Sequence, residues 1–342
     1  MNTREPTISL DAPSRPLVIA AFLIVYVIWG STYLGIRLAI ESIPPLFMAG
    51  TRYLVAGGAM FLFAFFRGAK LPSRAQWCAA LVVGGCLLLG GNGGLTFAEQ
   101  YIPSGTAALL VATVPIFLTT FAWIARLTSR PSGAILFALL LGLVGVFILS
   151  RPESQSSSPG TQHNWYLGVT VLLIASAIWA AGSLYSKKAA RPSSAVLGVG
   201  IQMICGGALL LIVSVSTGEA GRFEWSNVSV RSILAWWYLV IFGAIIAFTA
   251  YVWLVRVCAP SLVGTYAFVN PVIAVFLGSA FVGEELNFRT ICGAAVIVAA
   301  VALVVFFSNR PAKPPLDRDE PELLSSSACT AKVLETRPGG IQ

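Results

Sequence analysis

Charged residues are scarce in this 342-residue chain. Only 11% of its residues are charged, while 57% are hydrophobic and the mean hydropathy is +0.82. A soluble domain carries about 25% charged residues, so the composition excludes an ordinary soluble protein and predicts a polytopic membrane protein. The formal net charge of +8 does not indicate nucleic acid as a partner, because the lysines and arginines lie between apolar spans and form no patch.

Residues that catalysis or metal binding would require are also missing from the apolar spans. The only histidine is His163, and the three aspartates, Asp11, Asp317 and Asp319, lie in the terminal segments. An intramembrane protease needs a Ser–His or Asp–Asp pair or a set of metal ligands, and none can be assembled here. The cysteines form no closely spaced pair, and the chain has no P-loop for ATP. We therefore expect no catalytic residue, no metal and no cofactor.

Hydropathy divides the chain into ten apolar spans, so the predicted fold is an all-α membrane protein with ten transmembrane helices. The polar stretch RPESQSSSPGTQHN, residues 151–164, separates two groups of five spans. We expect a cytoplasmic tail at 1–16, a five-helix repeat at 17–150, a second at 165–307, and a disordered cytoplasmic tail at 308–342. The predicted spans are 17–37, 45–66, 75–97, 103–124 and 133–150, followed by 165–186, 195–215, 232–254, 260–281 and 290–307.

The two groups of spans share several features. Trp29 and Trp179 lie near the middle of the first and sixth spans, and a basic residue follows each by eight positions. Pro-Ser opens both the fourth and the ninth span, and Pro115 and Pro271 follow inside them. Because each group has an odd number of spans, the two copies must insert in opposite orientations. Inverted repeats of this kind are typical of secondary transporters.

The distribution of positive charges predicts the orientation in the membrane. With a cytoplasmic N-terminus, sixteen lysines and arginines fall on the inner side and five on the outer side. Cytoplasmic loops normally carry this excess. We therefore expect a multi-pass protein of the bacterial inner membrane with both termini in the cytoplasm.

Three stretches are especially informative: IWGSTYLGIRLAIESIPPLFMAGTRYLVAG at 28–57, GNGGLTFAEQYIPSGTAALLVATVPIF at 91–117 and SLVGTYAFVNPVIAVFLGSAFVGEEL at 261–286. With them the chain resembles EamA-type proteins of the drug/metabolite transporter superfamily, and within it the YedA-like inner-membrane proteins. The resemblance implies two inverted five-helix repeats, a central cavity near spans four and nine, and export of small metabolites, often amino acids. The family often repeats the pair Gly283-Glu284 after span four. Because Ala125-Arg126 stands there, no role of that pair carries over to the first half.

Three polar side chains within the spans are candidates for substrate contact. Arg52 lies about 10 Å deep in span two, where a charge is costly. It either anchors a substrate carboxylate or a gating pair, or it caps helix carbonyls and snorkels outward. Asn92, in a glycine run, carries an amide that needs a partner in a dry interior. Asn270 precedes Pro271, which frees a helix carbonyl, so its amide either satisfies that carbonyl or faces a ligand.

Aromatic side chains on spans one, six and nine are the second group of candidates. They provide a flat lining for an aromatic or amphipathic substrate, or alternatively serve in packing and in the interfacial belts of the membrane. We expect at least two of them to line the cavity. They are Trp29, Tyr33, Trp179, Tyr185 and Tyr266, of which all but Tyr185 are predicted to bind substrate.

Three further residues are candidates for gating or coupling. Glu99, at the outer end of span three, could approach Arg52 as a proton-sensitive gate, or it is a solvated loop carboxylate. Pro115 and Pro271 are expected to bend their helices. No acidic residue lies at the centre of a span, where proton coupling usually requires one, so we expect weak coupling or none.

These features together predict a secondary transporter of the inner membrane that exports small metabolites or amino acids by alternating access. Its expected partners are a small-molecule substrate and the lipid bilayer, without nucleic acid, in a monomer or weak oligomer. The alternative is a non-transporting sensor or scaffold. That alternative predicts a closed, dry interface between the halves and large surfaces outside the membrane. An intramembrane enzyme ranks third, because no catalytic set is present.

Overall fold

The regular structure of the chain is entirely helical over the residues that the computed structural model describes, 14–127, 130–149, 159–258, 266–283 and 287–308. The predicted all-α class is confirmed for these residues. Seven of the described helices are long and apolar enough to cross a membrane, and shorter apolar stretches lie at Gly133–Gly145, Val269–Val282 and Phe288–Ala300. Both predicted tails, except for their residues nearest the helices, lie outside the described residues, as do Pro260 and Glu284.

The helices begin and end close to the predicted boundaries. Helix α6 begins six residues early, so that the end of the predicted linker is helical, and the residues just before Tyr266 in the ninth predicted span lie outside the described part of the chain. The first helices are α1 (Arg15–Ala39), α2 (Pro45–Phe66), α3 (Arg74–Ala98), α4 (Ser104–Ile124) and α5 (Gly133–Leu149). They are followed by α6 (Pro159–Ser186), α7 (Ala195–Ser216), α8 (Val230–Leu254), α9 (Tyr266–Val282) and α10 (Phe288–Ser308).

Local sequence explains where several helices start and stop. Pro45 occupies the first turn of α2, where its missing N–H costs nothing. Ser73 and Gln76 form a reciprocal capping box at the start of α3: Ser73 Oγ accepts from Gln76 N at 3.3 Å, and Gln76 Oε1 accepts from Ser73 N at 2.9 Å. After α9, Gly283 adopts a φ of +72°, a conformation that glycine reaches without strain.

The two prolines predicted to bend their helices lie in different settings. Helix α4 is interrupted: its first part ends at Val111, and its second part begins at Val114 with Pro115 in the first turn. In the gap, Thr113 Oγ1 donates to Leu110 O at 2.6 Å, as threonine often does within its own helix. Helix α9 instead continues through Pro271 without interruption. Only the proline of the first half coincides with a break.

Three of the helices in the described part of the chain contain π-helical turns, which hydropathy does not reveal. They occupy Val25–Trp29 in α1, Gly85–Gly93 in α3 and Leu239–Phe248 in α8. Such turns are frequent at functional sites. The second of them carries Asn92 and its neighbouring glycines.

Helices α2 and α7 approach each other closely through glycines. A Cβ placed on Gly57 would lie 2.8 Å from Gly200 O, and one placed on Gly207 would lie 2.9 Å from Gly50 O. Because Gly50 meets Gly207 and Gly57 meets Gly200, the two helices run antiparallel. Small residues permit such close approach of helix backbones in membranes.

Other helix pairs complete the bundle. Helix α5 packs on α10, with Gly145 against Ile297. Helix α3 packs on α6, with Gly91 against Trp179, and α1 packs on α8. Helix α9 contacts both α1 and α4, and α4 also contacts α6.

The loop between α7 and α8 folds over the start of α2. Glu219 is buried, and its Oε1 accepts from Leu46 N at 2.6 Å and from Phe47 N at 3.2 Å. This carboxylate therefore satisfies two N–H groups that the first turn of a helix leaves without partners. The Phe47 and Phe223 rings pack beside it, with centroids 4.6 Å apart.

Large apolar side chains remain exposed around the outside of the bundle. Phe66 is 80% exposed, Phe276 67% and Phe137 62%. Large contiguous apolar surfaces are unusual on soluble proteins, whereas a bilayer would cover them. The exposed surface therefore agrees with the membrane location that the composition predicts.

Candidate functional site

A cavity of about 600 Å³, part of it open to the surroundings, lies between helices of both halves. Its walls come from α1, α3 and α4 of the first half and from α6 and α9 of the second. The lining residues are Trp29, Thr32, Tyr33, Gly91, Asn92, Leu95, Val111, Val114, Leu172, Ala175, Ser176, Trp179, Tyr266 and Asn270.

Six of the seven side chains proposed from sequence to contact substrate belong to this lining. They come from four different helices. Arg52 is the exception, because it lies behind the wall. The six are Trp29, Tyr33, Asn92, Trp179, Tyr266 and Asn270.

Trp29 is the centre of the aromatic wall. Its ring lies edge-on to Trp179 at a centroid distance of 6.4 Å and edge-on to Tyr266 at 5.5 Å. Its Nε1 donates to Gly243 O in α8 at 3.3 Å, which satisfies the polar atom of an otherwise apolar ring. Tyr251, which sequence analysis did not identify, packs behind it at 4.8 Å. Tyr185, in contrast, is exposed and outside the lining.

Arg52 is 3% exposed and does not snorkel outward. Its Nη2 donates to Asn92 Oδ1 at 2.6 Å and to Tyr53 Oη at 2.9 Å, and its guanidinium carbon lies 4.5 Å from the centroid of the Tyr53 ring. Within the described part of the chain, no carboxylate lies within 4.0 Å of this guanidinium. Arg52 therefore reaches the cavity through Asn92 and forms no ion pair with Glu99.

The two asparagines lie on different walls. Asn92 belongs to the π-helical part of α3, where its backbone carbonyl accepts from Thr96 Oγ1 at 2.9 Å. Asn270 is 3% exposed on α9. One end of its side-chain amide faces two backbone carbonyl oxygens. Because carbonyl oxygens only accept hydrogen bonds, that end is assigned as the amide nitrogen. That nitrogen lies 3.3 Å from Tyr266 O and 3.2 Å from Tyr26 O, so it joins α9 to the π-helical turn of α1.

Glu99 directly follows the last residue of α3 and is fully buried. The alternative that it is a solvated loop carboxylate is therefore wrong. Arg37 Nη1 donates to the Glu99 backbone carbonyl at 2.6 Å, which fixes the end of α3 against α1. Glu99 lies one helical turn beyond the cavity residue Leu95, on the same face of the helix.

Sequence analysis missed other cavity residues whose positions a helical repeat would have revealed. Thr32 lies three positions after Trp29, and Ser176 lies three positions before Trp179. Residues three apart share a helix face. Val111 and Val114 flank the break in α4, so the interruption itself forms part of the wall. Across the described residues, no group of three or more His, Cys, Asp or Glu side chains could hold a metal ion.

Comparison with known families identifies the chain's relatives. The model of the EamA-like transporter family matches it twice, at residues 16–151 and at residues 166–306.

Individual proteins resemble the chain over most of its length. It is 39% identical over 309 residues to YedA, an uncharacterized inner membrane transporter of Escherichia coli (strain K12), with 89% of this chain and 96% of YedA covered. It is 26% identical over 291 residues to YvbV, an uncharacterized transporter of Bacillus subtilis (strain 168), covering 85% and 92%. The protein PecM of Dickeya dadantii (strain 3937) is 25% identical over 299 residues, covering 86% and 95%.

A solved crystal structure shares the fold. Its chain is 18% identical in sequence and superposes with a TM-score of 0.59, covering 86% of this chain and 98% of that chain.

Proposed function

The chain belongs to the EamA-like transporter family and is similar to YedA, and from this we propose that it is a secondary transporter that exports small metabolites or amino acids. The resemblance to EamA-type and YedA-like proteins expected from sequence is thereby confirmed, and with it a transporter of the inner membrane. The names of the family, of YedA and of YvbV describe transporters. Export, the substrate class and alternating access are our proposals.

The observation that carries the proposal is the cavity between the halves. Its aromatic and amide walls come from helices of both halves, as a substrate site near the meeting of two repeats requires. A sensor or scaffold with a closed, dry interface would not contain such a cavity. Trp29, Tyr33, Trp179, Tyr266, Asn92 and Asn270 are proposed to contact substrate, and Arg52 is proposed to act through Asn92.

The pairing of helices supports two inverted repeats, residues 17–150 and 165–307. Suppose that α1 corresponds to α6, α2 to α7, α3 to α8, α4 to α9 and α5 to α10. When every helix is exchanged for its counterpart, three contacting pairs are unchanged: α2–α7, α4–α9 and α5–α10. The pair α1–α8 maps onto α3–α6, and α1–α9 maps onto α4–α6. A pairing pattern that survives this exchange is what a pseudo-two-fold axis predicts. The double match of the family model divides the chain near the same place.

Alternating access between these repeats is the proposed mechanism, with both termini in the cytoplasm. The break beside Pro115 places a bend in the cavity wall, and Pro271 provides the corresponding site in α9, where a helix lacking one hydrogen bond deforms readily. Glu99 is the proposed gate at the outer end of α3. Since no acidic residue lines the cavity, we propose weak proton coupling or none.

A transport assay tests the function. Purified protein is screened for solutes that raise its Tm, and the stabilising solutes are then followed across the membrane of proteoliposomes. We expect saturable transport that protein-free liposomes lack. No solute transported above that background would contradict the proposal.

A matched pair of tryptophan variants relates transport to the cavity. Trp179→Ala removes a cavity wall, and we expect at least a several-fold increase in KM, about 1 kcal/mol or more of lost contact. Trp225→Ala removes a tryptophan that is 79% exposed in the loop between α7 and α8, and we expect it to leave KM unchanged. Equal effects of both variants would argue against the cavity as the site.

A further inference from the structure

Asn92 and Asn270 are held so that opposite ends of their amides are already engaged by the protein. An amide side chain has one accepting oxygen and one donating nitrogen. When the protein engages one end, only the other remains for a ligand. The bonding of these two side chains therefore determines which chemical groups each could recognise.

At Asn92 the protein engages the oxygen. Arg52 Nη2 donates to Asn92 Oδ1 at 2.6 Å, a charge-assisted bond of the stronger kind. Within the described residues, Asn92 Nδ2 donates to no protein acceptor, and the side chain lines the cavity. Its two N–H donors are thus available to an acceptor in the cavity.

At Asn270 the protein engages the nitrogen. Its two hydrogens are matched by two backbone carbonyls, Tyr266 O and Tyr26 O. These bonds join two helices, so the amide cannot turn over without leaving both carbonyls without a donor. Within the described residues no donor is bonded to the amide oxygen, so the oxygen is the end of this cavity-lining side chain that can accept a bond from a ligand.

The positive charge of Arg52 further distinguishes the cavity wall at Asn92 from the wall at Asn270. The Arg52 guanidinium is 3% exposed, and its Nε has no hydrogen-bond partner in the part of the chain that the structure describes. A buried charge without a counter-charge is costly, and an anion bound at Asn92 would supply one. None of the cavity-lining residues is a carboxylate, lysine or arginine, and the buried Glu99 lies one helical turn beyond the cavity residue Leu95.

We propose that the cavity selects a small molecule with two polar groups in a fixed order: an anionic or carbonyl acceptor at Asn92 and a hydrogen-bond donor at Asn270. The aromatic rings around Trp29 enclose its apolar part. Arg52 is a positioning residue, which holds the Asn92 amide with its donors towards the cavity. This inference rests on the proposed function and names the substrate class of the same site.

The test uses three probes built on one phenyl framework and binding to the purified full chain, measured by calorimetry. Phenylalanine carries both a carboxylate and an ammonium group, 3-phenylpropanoate lacks the ammonium, and 2-phenylethylamine lacks the carboxylate. We expect the wild-type protein to bind phenylalanine most tightly and 2-phenylethylamine most weakly. Tighter binding of the amine than of both carboxylate probes, or no binding of any probe, would overturn the inference.

Asn92→Asp is the decisive variant because it keeps the shape and removes both donors. We expect it to weaken the two carboxylate probes about tenfold or more without weakening 2-phenylethylamine. Gln100→Glu is the matched control, since it makes the same amide-to-acid change at an exposed position just after α3, and we expect it to change nothing. An equal loss for all three probes would show that Asn92 is only structural and would refute the assignment.

A second variant tests the other wall independently of the first. Asn270→Ala is expected to weaken the two ammonium probes and to leave 3-phenylpropanoate within about twofold of wild type. If this variant does not fold, the Asn92→Asp comparison decides alone. If the wild-type protein transports solutes but shows no preference for carboxylates, the assignment of ligand groups to Asn92 and Asn270 is wrong, and the proposed function still stands. Failure to transport any solute would count against the function itself.

Discussion

Replacing Gly57 with alanine tests the close contact between α2 and α7. The added Cβ would lie 2.8 Å from three atoms: Gly200 O, Ile204 N and Met203 Cβ. Ordinary van der Waals contact begins at 3.4 Å, so each distance is about 0.6 Å too short. Two of the three atoms are backbone and cannot rotate away. The helices must therefore separate, or the packing around them must deform.

The neighbouring Gly58 supplies the control that makes the magnitude measurable. A Cβ on Gly58 meets nothing within 4 Å. Both substitutions gain the same helix propensity, up to about 1 kcal/mol, but only Gly57→Ala suffers the overpacking, which typically costs about 1–3 kcal/mol. The difference between the two variants isolates the overpacking cost from the gain in propensity.

Thermal unfolding of the purified protein in detergent is the assay. At about 2 °C per kcal/mol for a chain of this size, the Tm of Gly57→Ala should lie about 2–6 °C below that of Gly58→Ala. Gly207→Ala, on the opposite helix, should show a similar loss because its Cβ would meet Gly50 O at 2.9 Å. Equal Tm values for the Gly57 and Gly58 variants would refute the close approach of α2 and α7.

Three further predictions concern the loops and the proposed gate. Glu219→Ala removes the acceptor at the start of α2 and should cost about 1 kcal/mol in unfolding free energy, whereas Glu224→Ala, at an exposed position, should cost almost nothing; equal costs would contradict the capping role. Gly283→Ala places a side chain at a φ of +72° and should lower stability by about 1–2 kcal/mol; an unchanged Tm would contradict that conformation. In proteoliposomes we expect a pH gradient to change transport little and Glu99→Gln to alter the rate even without a gradient. Gradient-driven uptake that Glu99→Gln abolishes would instead make Glu99 a coupling residue.

The candidate site was partly accessible from sequence because polar and aromatic residues are conspicuous within apolar spans. Asn92, Asn270 and Trp29 stood out in this way, and all three line the cavity. Thr32 and Ser176 did not, because a hydroxyl in an apolar helix commonly bonds to its own backbone and so indicates little by itself. Arg52 was singled out for its charge, but sequence could not show that Asn92 lies between it and the cavity.

The burial of Glu99 could not be inferred from the local sequence. A glutamate at the end of an apolar span is usually in contact with water, and one alternative from sequence was a solvated carboxylate. Its burial depends on α1, whose Arg37 binds the backbone at the same place. Such a contact joins residues 62 positions apart, and no local pattern reports it.

The sequence by itself determined the membrane class, the helical structure and the family, because each depends on composition or on short runs of residues. Hydrophobic length sets which segments can span a bilayer, and the bilayer requires their backbones to be satisfied within helices. Only the tertiary structure decided which helices meet, where the π-helical turns fall, and which end of each asparagine amide the protein engages. Those features depend on contacts between helices far apart in the chain, and a hydropathy profile contains no term for such contacts.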